Sequence, residues 1–183
     1  MNKERMQKLA GIITENSTST YEYGCVMLYF NFPMMSKIHD GIDPNDIYTE
    51  EGDRSYGLED EPHCTLLFGL HDNEIDTNKV LDVMKQFSFG NAKAHNISLF
   101  ENENYDVLKF DIKGDNLHKA NSALKQFPYT SNFPNYHPHM TIGYLHPGMG
   151  AKYVKRMAGL EHDLIPTHIV YSHPNGTKDK IKI

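Results

Sequence analysis

The sequence contains one short pattern twice, as Pro62-His63-Cys64-Thr65-Leu66 and as Pro138-His139-Met140-Thr141-Ile142. Each copy places a histidine and a threonine two residues apart inside an apolar run that is typical of a β-strand. Side chains at positions i and i+2 point to the same face of a strand, so each copy presents an imidazole and a hydroxyl to one surface and its apolar residues to the other. We therefore expect two such strands, which together offer one imidazole to accept a proton and another to donate one.

Coincidence accounts for one copy of the pattern but poorly for two. The chain has eleven histidines, and a given histidine has a threonine two positions later about 5% of the time. Both pairs are also preceded by proline and followed by an aliphatic residue. The alternative, that both histidines are ordinary residues of the core or of edge strands, explains one motif and leaves the repeat unexplained.

The motif pair resembles the signature of the two-histidine (2H) phosphoesterases, also called the LigT-like or 2′-5′ RNA ligase-like superfamily, whose members carry two His-x-Thr/Ser-aliphatic motifs. The first motif continues into Leu67-Phe68-Gly69, similar to the usual apolar continuation, and the stretch at 57–63 resembles members from large tailed phages. Many bacterial members carry arginines just after the second motif, whereas this chain has Gly143-Tyr144-Leu145, which argues against their polynucleotide or tRNA substrates. The resemblance implies that the catalytic residues are His63, Thr65, His139 and Thr141.

The order of the predicted elements indicates an α+β fold with two similar lobes. Helical spacing predicts an amphipathic helix at 3–15 and a polar linker to residue 20, so residues 1–20 should precede a single bilobal domain at 21–183. The resemblance adds the bilobal 2H phosphoesterase fold, in which the two motif strands line a central groove. The predicted strands lie at 25–32, 63–70, 94–100, 105–112, 139–145, 168–172 and 180–183. The other predicted helices are a short one that ends near Asp40, one capped by Asp76, one capped by Asp115 and one near 150–159. A long polar loop is predicted at 43–61 and a turn at Asn175-Gly176.

Phosphodiester cleavage requires that a nucleophile lose a proton, that the leaving oxygen gain one, and that charge on the phosphoryl oxygens be stabilised. His63 and His139 can supply both proton transfers, because an imidazole with an ordinary pKa of about 6.5 exists in both protonation states near neutral pH. Thr65 and Thr141 can donate hydroxyl hydrogen bonds to the non-bridging oxygens. The scheme needs no metal or cofactor, and the sequence leaves open which histidine is the base.

Four further residues are candidates for substrate binding: Tyr29, Tyr136, His137 and Tyr144. The tyrosines lie on or beside the predicted strands, where a ring can stack on a nucleobase, and ordinary packing is the alternative for each. His137 shares a face with His139, and His-x-His is also a spacing of metal ligands. A metal-dependent hydrolase that uses these two histidines is therefore a competing hypothesis. Two observations weaken it: Pro138 lies between the two histidines, and there is no nearby Asp-His or Cys partner.

The formal net charge of −6 argues against a long nucleic acid as partner, because proteins that grip one normally carry a basic face. No apolar run approaches the roughly 20 residues of a membrane span. Two cysteines without a metal-binding spacing are typical of reduced thiols in a cytosol. We therefore expect a cytoplasmic protein, in the host cytoplasm if it is phage-encoded, with a small nucleotide as its partner and no membrane partner; the oligomeric state stays open.

These observations favour a metal-independent phosphodiesterase that hydrolyses small nucleotide phosphodiesters. One phage-borne branch of the resembled family degrades the cyclic oligonucleotide messengers of bacterial anti-phage (CBASS-type) immunity. The phage-like stretch and the acidic charge make such a cyclic oligonucleotide our expected substrate. A 2′,3′-cyclic phosphodiesterase and a 2′-5′ oligoadenylate phosphodiesterase are alternatives, and a non-catalytic nucleotide-binding module is a hypothesis of another class, for which the complete motif pair would be unneeded.

Overall fold

A computed structural model describes residues 21–53, 55–133 and 135–183 of the chain. The helix predicted at 3–15 and the linker at 16–20 lie outside these residues. The described strands are β1 Tyr23–Asn31, β2 His63–His71, β3 Lys93–Glu101, β4 Asp106–Lys113, β5 His139–Leu145, β6 His162–Asp163, β7 Ile165–Ser172 and β8 Lys178–Lys182. The described helices are α1 Met35–His39, α2 Thr77–Met84, α3 Leu117–Leu124 and α4 Gly150–Arg156, with a 3₁₀ turn at Pro44–Asp46.

The strands form two four-stranded antiparallel sheets. The His63 sheet has the strand order β2-β1-β7-β8, and the His139 sheet has the order β5-β4-β3-β6. The motif strands β2 and β5 are edge strands, and the two sheets meet along them. Helices α2 and α3 pack against the His63 sheet, and α1 and α4 pack against the His139 sheet. The prediction of an α+β fold is confirmed.

One large hydrophobic core joins the two sheets and their helices. It takes alternate residues of the motif strands, among them Cys64 of β2 and Met140 of β5, which are both fully buried. The histidine and threonine of each motif occupy the intervening positions and so belong to the opposite faces, here called the groove faces. The groove faces carry only two small apolar clusters of their own. The expectation that Cys64 points away from His63 is confirmed.

The two motif strands have the same backbone environment. The carbonyl oxygen of Pro62 accepts a hydrogen bond from the N–H of Phe30 on β1 at 2.9 Å, and the carbonyl oxygen of Pro138 accepts one from the N–H of Ile112 on β4 at 2.9 Å. The β1–β2 and β4–β5 pairs are thus equivalent parts of the two sheets, as expected for two similar lobes.

The segment at 43–61 pairs with the free edge of β5. The Tyr48 N–H donates to the carbonyl of Tyr144 at 2.9 Å, the Tyr144 N–H donates to the carbonyl of Gly57 at 2.8 Å, and the Glu59 N–H donates to the carbonyl of Ile142 at 3.0 Å. These bonds satisfy backbone groups that an open edge would leave unpaired. They also hold residues 55–61 beside the groove faces.

Helix α3 begins one residue later than the sequence predicts. Its N-cap residue is Asn116, which has a left-handed φ of 63°, so the prediction that Asp115 caps this helix is wrong. The carboxylate of Asp115 instead accepts a hydrogen bond from Asn91 Nδ2 at 2.8 Å, which holds it away from the helix. Asp76 is confirmed as the N-cap of α2, because its carboxylate accepts from the Asn78 N–H at 3.1 Å.

In the described parts of the chain, every helix is too short or too polar to cross a lipid bilayer.

Candidate functional site

Both motif histidines are fixed by the same local hydrogen bond. The Nδ1–H of His63 donates to the carbonyl of Glu61 at 2.7 Å, and the Nδ1–H of His139 donates to the carbonyl of His137 at 2.8 Å. A carbonyl oxygen can only accept, so Nδ1 of each ring carries a proton and Nε2 is left for proton transfer. The proline that follows each acceptor residue favours an extended backbone at the acceptor, which gives both Pro-His sequences the same shape.

His63 lies close enough to His139 to influence the pKa of the His139 imidazole. Burial, with the charges of Lys109 and His63, lowers the pKa of His139 to about 4, although the carbonyl of His137 and the carboxylate of Asp111 act in the opposite direction. His139 is therefore a neutral imidazole at neutral pH, and its Nε2 can accept a proton.

Thr65 and Thr141 lie on the groove faces beside the two histidines. Thr65 pairs across the sheet with Met27 of β1, and Thr141 pairs with Lys109 of β4. Both threonines are partly exposed. Their action as hydrogen-bond donors to a phosphoryl group stays a prediction.

Tyr29 is held between two imidazoles on the His63 sheet. Its ring stacks on His63 at a centroid distance of 5.3 Å and on His168 of β7 at 4.7 Å, and β2 and β7 lie on opposite sides of β1. With both faces covered, Tyr29 fits the positioning of His63 better than the base stacking expected for it. The Tyr29 hydroxyl lies 3.4 Å from Lys178 Nζ, which also donates to the carboxylate of Glu61 at 3.1 Å.

An ion pair between a buried lysine and a partly exposed aspartate lies beside His139. Lys109 is only 4% exposed, and its Nζ donates to the carboxylate of Asp111 at 2.6 Å and to the hydroxyl of Ser98 at 2.7 Å. Asp111 is the cross-strand partner of His139. The ring of Phe100 on β3 meets His139 edge-on at a centroid distance of 5.0 Å, and Lys109 Nζ lies 4.4 Å from the Phe100 centroid.

A β-bulge brings Tyr144 to the groove face of the His139 sheet. The pairing between β4 and β5 shifts by one residue at Ile142, and an extra residue of this kind interrupts the alternation of side chains. Tyr144 therefore packs in the small groove-face cluster with Val107, away from the main core. It also lines the pocket that contains His63, in keeping with its predicted place near a substrate.

Tyr136 lies away from the groove. Its ring packs on the main core, and its hydroxyl is 3.5 Å from Cys64 Sγ. Burial raises the pKa of Tyr136 well above its ordinary value. The stacking on a nucleobase expected for Tyr136 conflicts with this position, because Cys64 faces away from His63.

His137 is exposed, and it enters the site through its backbone carbonyl, which holds His139. Among the described residues, no three His, Cys, Asp or Glu side chains converge as a cation site would require. The metal-dependent hypothesis therefore lacks a third ligand for His137 and His139 in the part of the chain that the structure describes.

A pocket lies beside His63, between the groove face of the His63 sheet and residues 55–61. Its walls include Tyr29, His63, Leu58, Glu61, Tyr144 and Lys178. Because Tyr144 belongs to β5, the walls of the pocket come from both sheets.

Sequence reasoning missed five residues around the two histidines: Phe100, Lys109, Asp111, His168 and Lys178. Alternation along the predicted strand at 105–112 does place the lysine and the aspartate on one face. Their place beside the second motif depends on the register of β4 against β5, which no local pattern specifies.

Comparison with solved structures gives a match over most of the chain. Usb1 from Kluyveromyces marxianus aligns over 88% of this chain and 98% of its own, with a TM-score of 0.58 and 10% identity. The structure of the same protein with uridine monophosphate aligns over the same shares, with a TM-score of 0.52 and 10% identity. At this identity, the likeness to Usb1 shows a similar fold and no more. No family model matches the chain, and no curated protein matches it.

Proposed function

We propose that this chain is a metal-independent phosphodiesterase that cleaves nucleotide phosphodiesters, with His63 and His139 as its paired proton-transfer groups. The observation that carries the proposal is that both imidazoles make the same hydrogen bond. In each, Nδ1–H donates to the carbonyl oxygen of the residue two positions earlier, so that Nε2 is left for the groove. Histidines that only fill space have no reason to repeat this arrangement on two sheets that meet along their motif strands. The likeness in fold to Usb1 supports the same class of activity.

We assign the base to His139 and the acid to His63. With a pKa near 4, His139 is neutral at pH 7, so its Nε2 accepts the proton of the attacking hydroxyl. In a ribonucleotide substrate, the 2′-oxygen forms a bond to phosphorus and the bond from phosphorus to the leaving 5′-oxygen breaks. The Nε2–H of His63 gives its proton to that 5′-oxygen. The products are a 2′,3′-cyclic phosphate and a free 5′-hydroxyl; with a cyclic phosphate as substrate, water is the nucleophile instead.

The charge that develops on the non-bridging oxygens needs donors in place before the reaction. The hydroxyls of Thr65 and Thr141 fill this role in the proposal, because each stands two residues after a histidine on the same face. Lys109 is buried and pairs with Thr141 across β4 and β5, so in the proposal it adds a positive charge next to this threonine.

We propose a small nucleotide as the substrate, and a cyclic oligonucleotide messenger of anti-phage immunity as the first candidate. The net charge of −6 and the acidic residues at 59–61 beside the pocket oppose a long polyanion. The stretch at 57–63, which resembles phage-borne members, supports a cyclic messenger. Usb1 has been solved with uridine monophosphate, and a ligand of that size is consistent with this proposal. Hydrolysis of a 2′,3′-cyclic phosphate or of 2′-5′ oligoadenylate is the alternative.

The test is a substrate panel, with and without EDTA. The panel contains cyclic di- and trinucleotides, linear 3′-5′ and 2′-5′ oligonucleotides and a 2′,3′-cyclic mononucleotide. We expect turnover that EDTA does not change, with the highest kcat/KM for a cyclic oligonucleotide.

Other outcomes separate the competing hypotheses. Activity that is lost on chelation and restored by zinc or manganese would favour the metal-dependent hydrolase. Binding without turnover of any substrate would favour a non-catalytic nucleotide-binding module.

A further inference from the structure

Phe100 is an exposed aromatic ring beside the proposed base. Phe100 is 42% exposed, and it lies on a groove face opposite the buried Val107 of β4. Its ring plane stands at 87° to that of His139, with the centroids 5.0 Å apart. A group bound to the exposed part of Phe100 would therefore lie next to the imidazole that accepts the proton.

The ring of Phe100 is held in a fixed orientation from one side. Lys109 Nζ lies 4.4 Å from its centroid, a cation–π contact. Lys109 is itself buried and is held by Asp111 at 2.6 Å and Ser98 at 2.7 Å. An aromatic ring that is fixed before binding loses little conformational freedom when a ligand stacks on it.

On the opposite side of Phe100, no strand among the described residues continues the sheet. On that side of β3, strand β6 pairs only with Lys93 and Ala94, near the other end of β3. At Phe100, β3 is therefore the edge of the sheet. Lys109 of β4 lies over the ring, and the residue is nevertheless 42% exposed.

We infer that Phe100 is the stacking platform of a nucleobase subsite on the His139 sheet. The inference rests on the proposed function, and it concerns the nucleoside whose 2′-hydroxyl gives its proton to His139. A phenyl ring offers a flat apolar surface to any base, because every base has a π-face. The subsite should therefore strengthen binding of that nucleoside with little preference among bases.

The first experiment is a cycle that combines a change in the protein with a change in the substrate. The protein variants are Phe100→Leu, which removes the ring plane, and Phe100→Tyr, which keeps it. The substrates are a linear adenosine dinucleotide and the same molecule with an abasic ribose in place of the nucleoside that carries the attacking hydroxyl. Phe87→Leu is the control, because Phe87 follows α2 and packs on the core.

For the intact dinucleotide, Phe100→Leu should raise KM by about 5- to 150-fold, the range that base–aromatic stacking of about 1–3 kcal/mol implies, with kcat little changed. For the abasic substrate, the same variant should change KM less than twofold, since the partner of the ring is already gone. Phe100→Tyr and Phe87→Leu should both behave like the unaltered protein. An equal fall in kcat for both substrates would mean that Phe100 only supports His139, and would overturn the subsite.

A binding measurement keeps the inference separate from the proposed chemistry. Calorimetric titration with uridine monophosphate and with ribose 5-phosphate compares ligands with one phosphate that differ in the base. The unaltered protein and Phe87→Leu should bind uridine monophosphate at least fivefold more tightly than ribose 5-phosphate. Phe100→Leu should bind the two ligands with equal affinity. Base-dependent binding through Phe100 without turnover would refute the phosphodiesterase and leave the subsite standing. Equal affinity for both ligands in the unaltered protein would overturn the subsite whatever the turnover.

Discussion

His63 and His139 are held by the same hydrogen bond but have different neighbours. The ring of Tyr29 stacks on His63, whereas the Lys109–Asp111 ion pair lies beside His139. The stacked ring fixes the orientation of one imidazole. The burial and positive charge around the other keep it neutral. In the proposed reaction, the two copies of one motif thereby take separate roles, which the motif itself does not encode.

The acid limb of the pH profile tests this division at the residue scale. We expect kcat/KM to fall with a midpoint near pH 4, because protonation of His139 removes the base. Lys109→Met should move the midpoint to higher pH, since loss of a nearby positive charge favours the protonated imidazole. The control is Lys113→Met, which removes the same charge from an exposed position on β4 where Lys113 pairs with Glu161. An acid limb near pH 6.5 in the unaltered protein, or equal shifts in both variants, would contradict the assignment of the base.

The stability of the protein should report the same pKa without any substrate. The folded pKa of His139 lies below its ordinary value of 6.5, so between about pH 4 and 6.5 the unfolded chain binds a proton that the folded chain does not. The contribution of His139 to the free energy of unfolding is therefore complete above that window and is lost as the pH falls through it. Denaturant unfolding at several pH values should show a flatter dependence for His139→Asn in this window. An unchanged slope would mean that burial of His139 does not shift its pKa.

At the scale of elements, the residue directly after the second motif is Gly143, and the neighbouring segment leaves no room for a side chain there. A Cβ at this position would lie 2.8 Å from Leu58 Cδ2 and 3.2 Å from the carbonyl oxygen of Gly57. The segment that covers the edge of β5 thus occupies the space that a side chain at position 143 would need.

Gly143→Ala should displace this segment from β5 and lower the melting temperature by several degrees, an overpacking penalty of roughly 1–3 kcal/mol. Adding Leu58→Ala should recover part of the loss, because the nearest obstructing atom belongs to that flexible side chain. Differential scanning calorimetry of Gly143→Ala, Leu58→Ala and the double variant measures this coupling. Strictly additive losses would show that the segment does not pack where the structure places it.

The elements that the sequence predicts well are those with a local signal. Alternation of apolar and polar residues locates both motif strands, and the Asp76 cap marks the start of α2. The error at Asp115 comes from a contact between distant residues, because its carboxylate accepts a hydrogen bond from Asn91. The bulge at Ile142, which decides the face on which Tyr144 lies, likewise depends on two strands. The register of a strand pair is a property of two segments together, so neither segment reveals it alone.

At the scale of the whole molecule, one edge strand of this acidic protein carries three lysines on a single face. Lys178, Lys180 and Lys182 alternate along β8, and the residues between them point the other way. Ile181 packs on the main core, and the carboxylate of Asp179 accepts from His173 Nε2 at 3.0 Å. The three lysines therefore lie together on the groove face of the His63 sheet. They form a short basic strip there, although the net charge of the whole chain is negative.

This strip predicts a shallow dependence of catalysis on salt. The kcat/KM for a cyclic dinucleotide should fall as the salt concentration rises. The double variant Lys180→Gln/Lys182→Gln should reduce the slope of log kcat/KM against log salt by roughly one, because each phosphate contact on a single strand contributes about 0.7 to that slope. The control is Lys79→Gln/Lys119→Gln, which removes the same charge from α2 and α3, the helices that pack against the His63 sheet. Equal slopes for the two double variants would mean that only overall charge matters.

A steep slope, with faster cleavage of long single-stranded RNA than of the cyclic dinucleotide, would contradict the small-substrate proposal. It would indicate a basic track longer than the three lysines of β8.

The central claim is that His63 and His139 act as one proton-transfer unit. The most direct test is kcat/KM for His63→Ala, His139→Ala and the double variant on the best substrate of the panel, with His118→Ala as an exposed-histidine control on α3. Each single variant should lose at least about 10²–10⁴-fold at an unchanged melting temperature, and the double variant should be little worse than either, because both transfers belong to one displacement. Near-normal activity in either single variant, or losses that multiply in the double variant, would contradict the account.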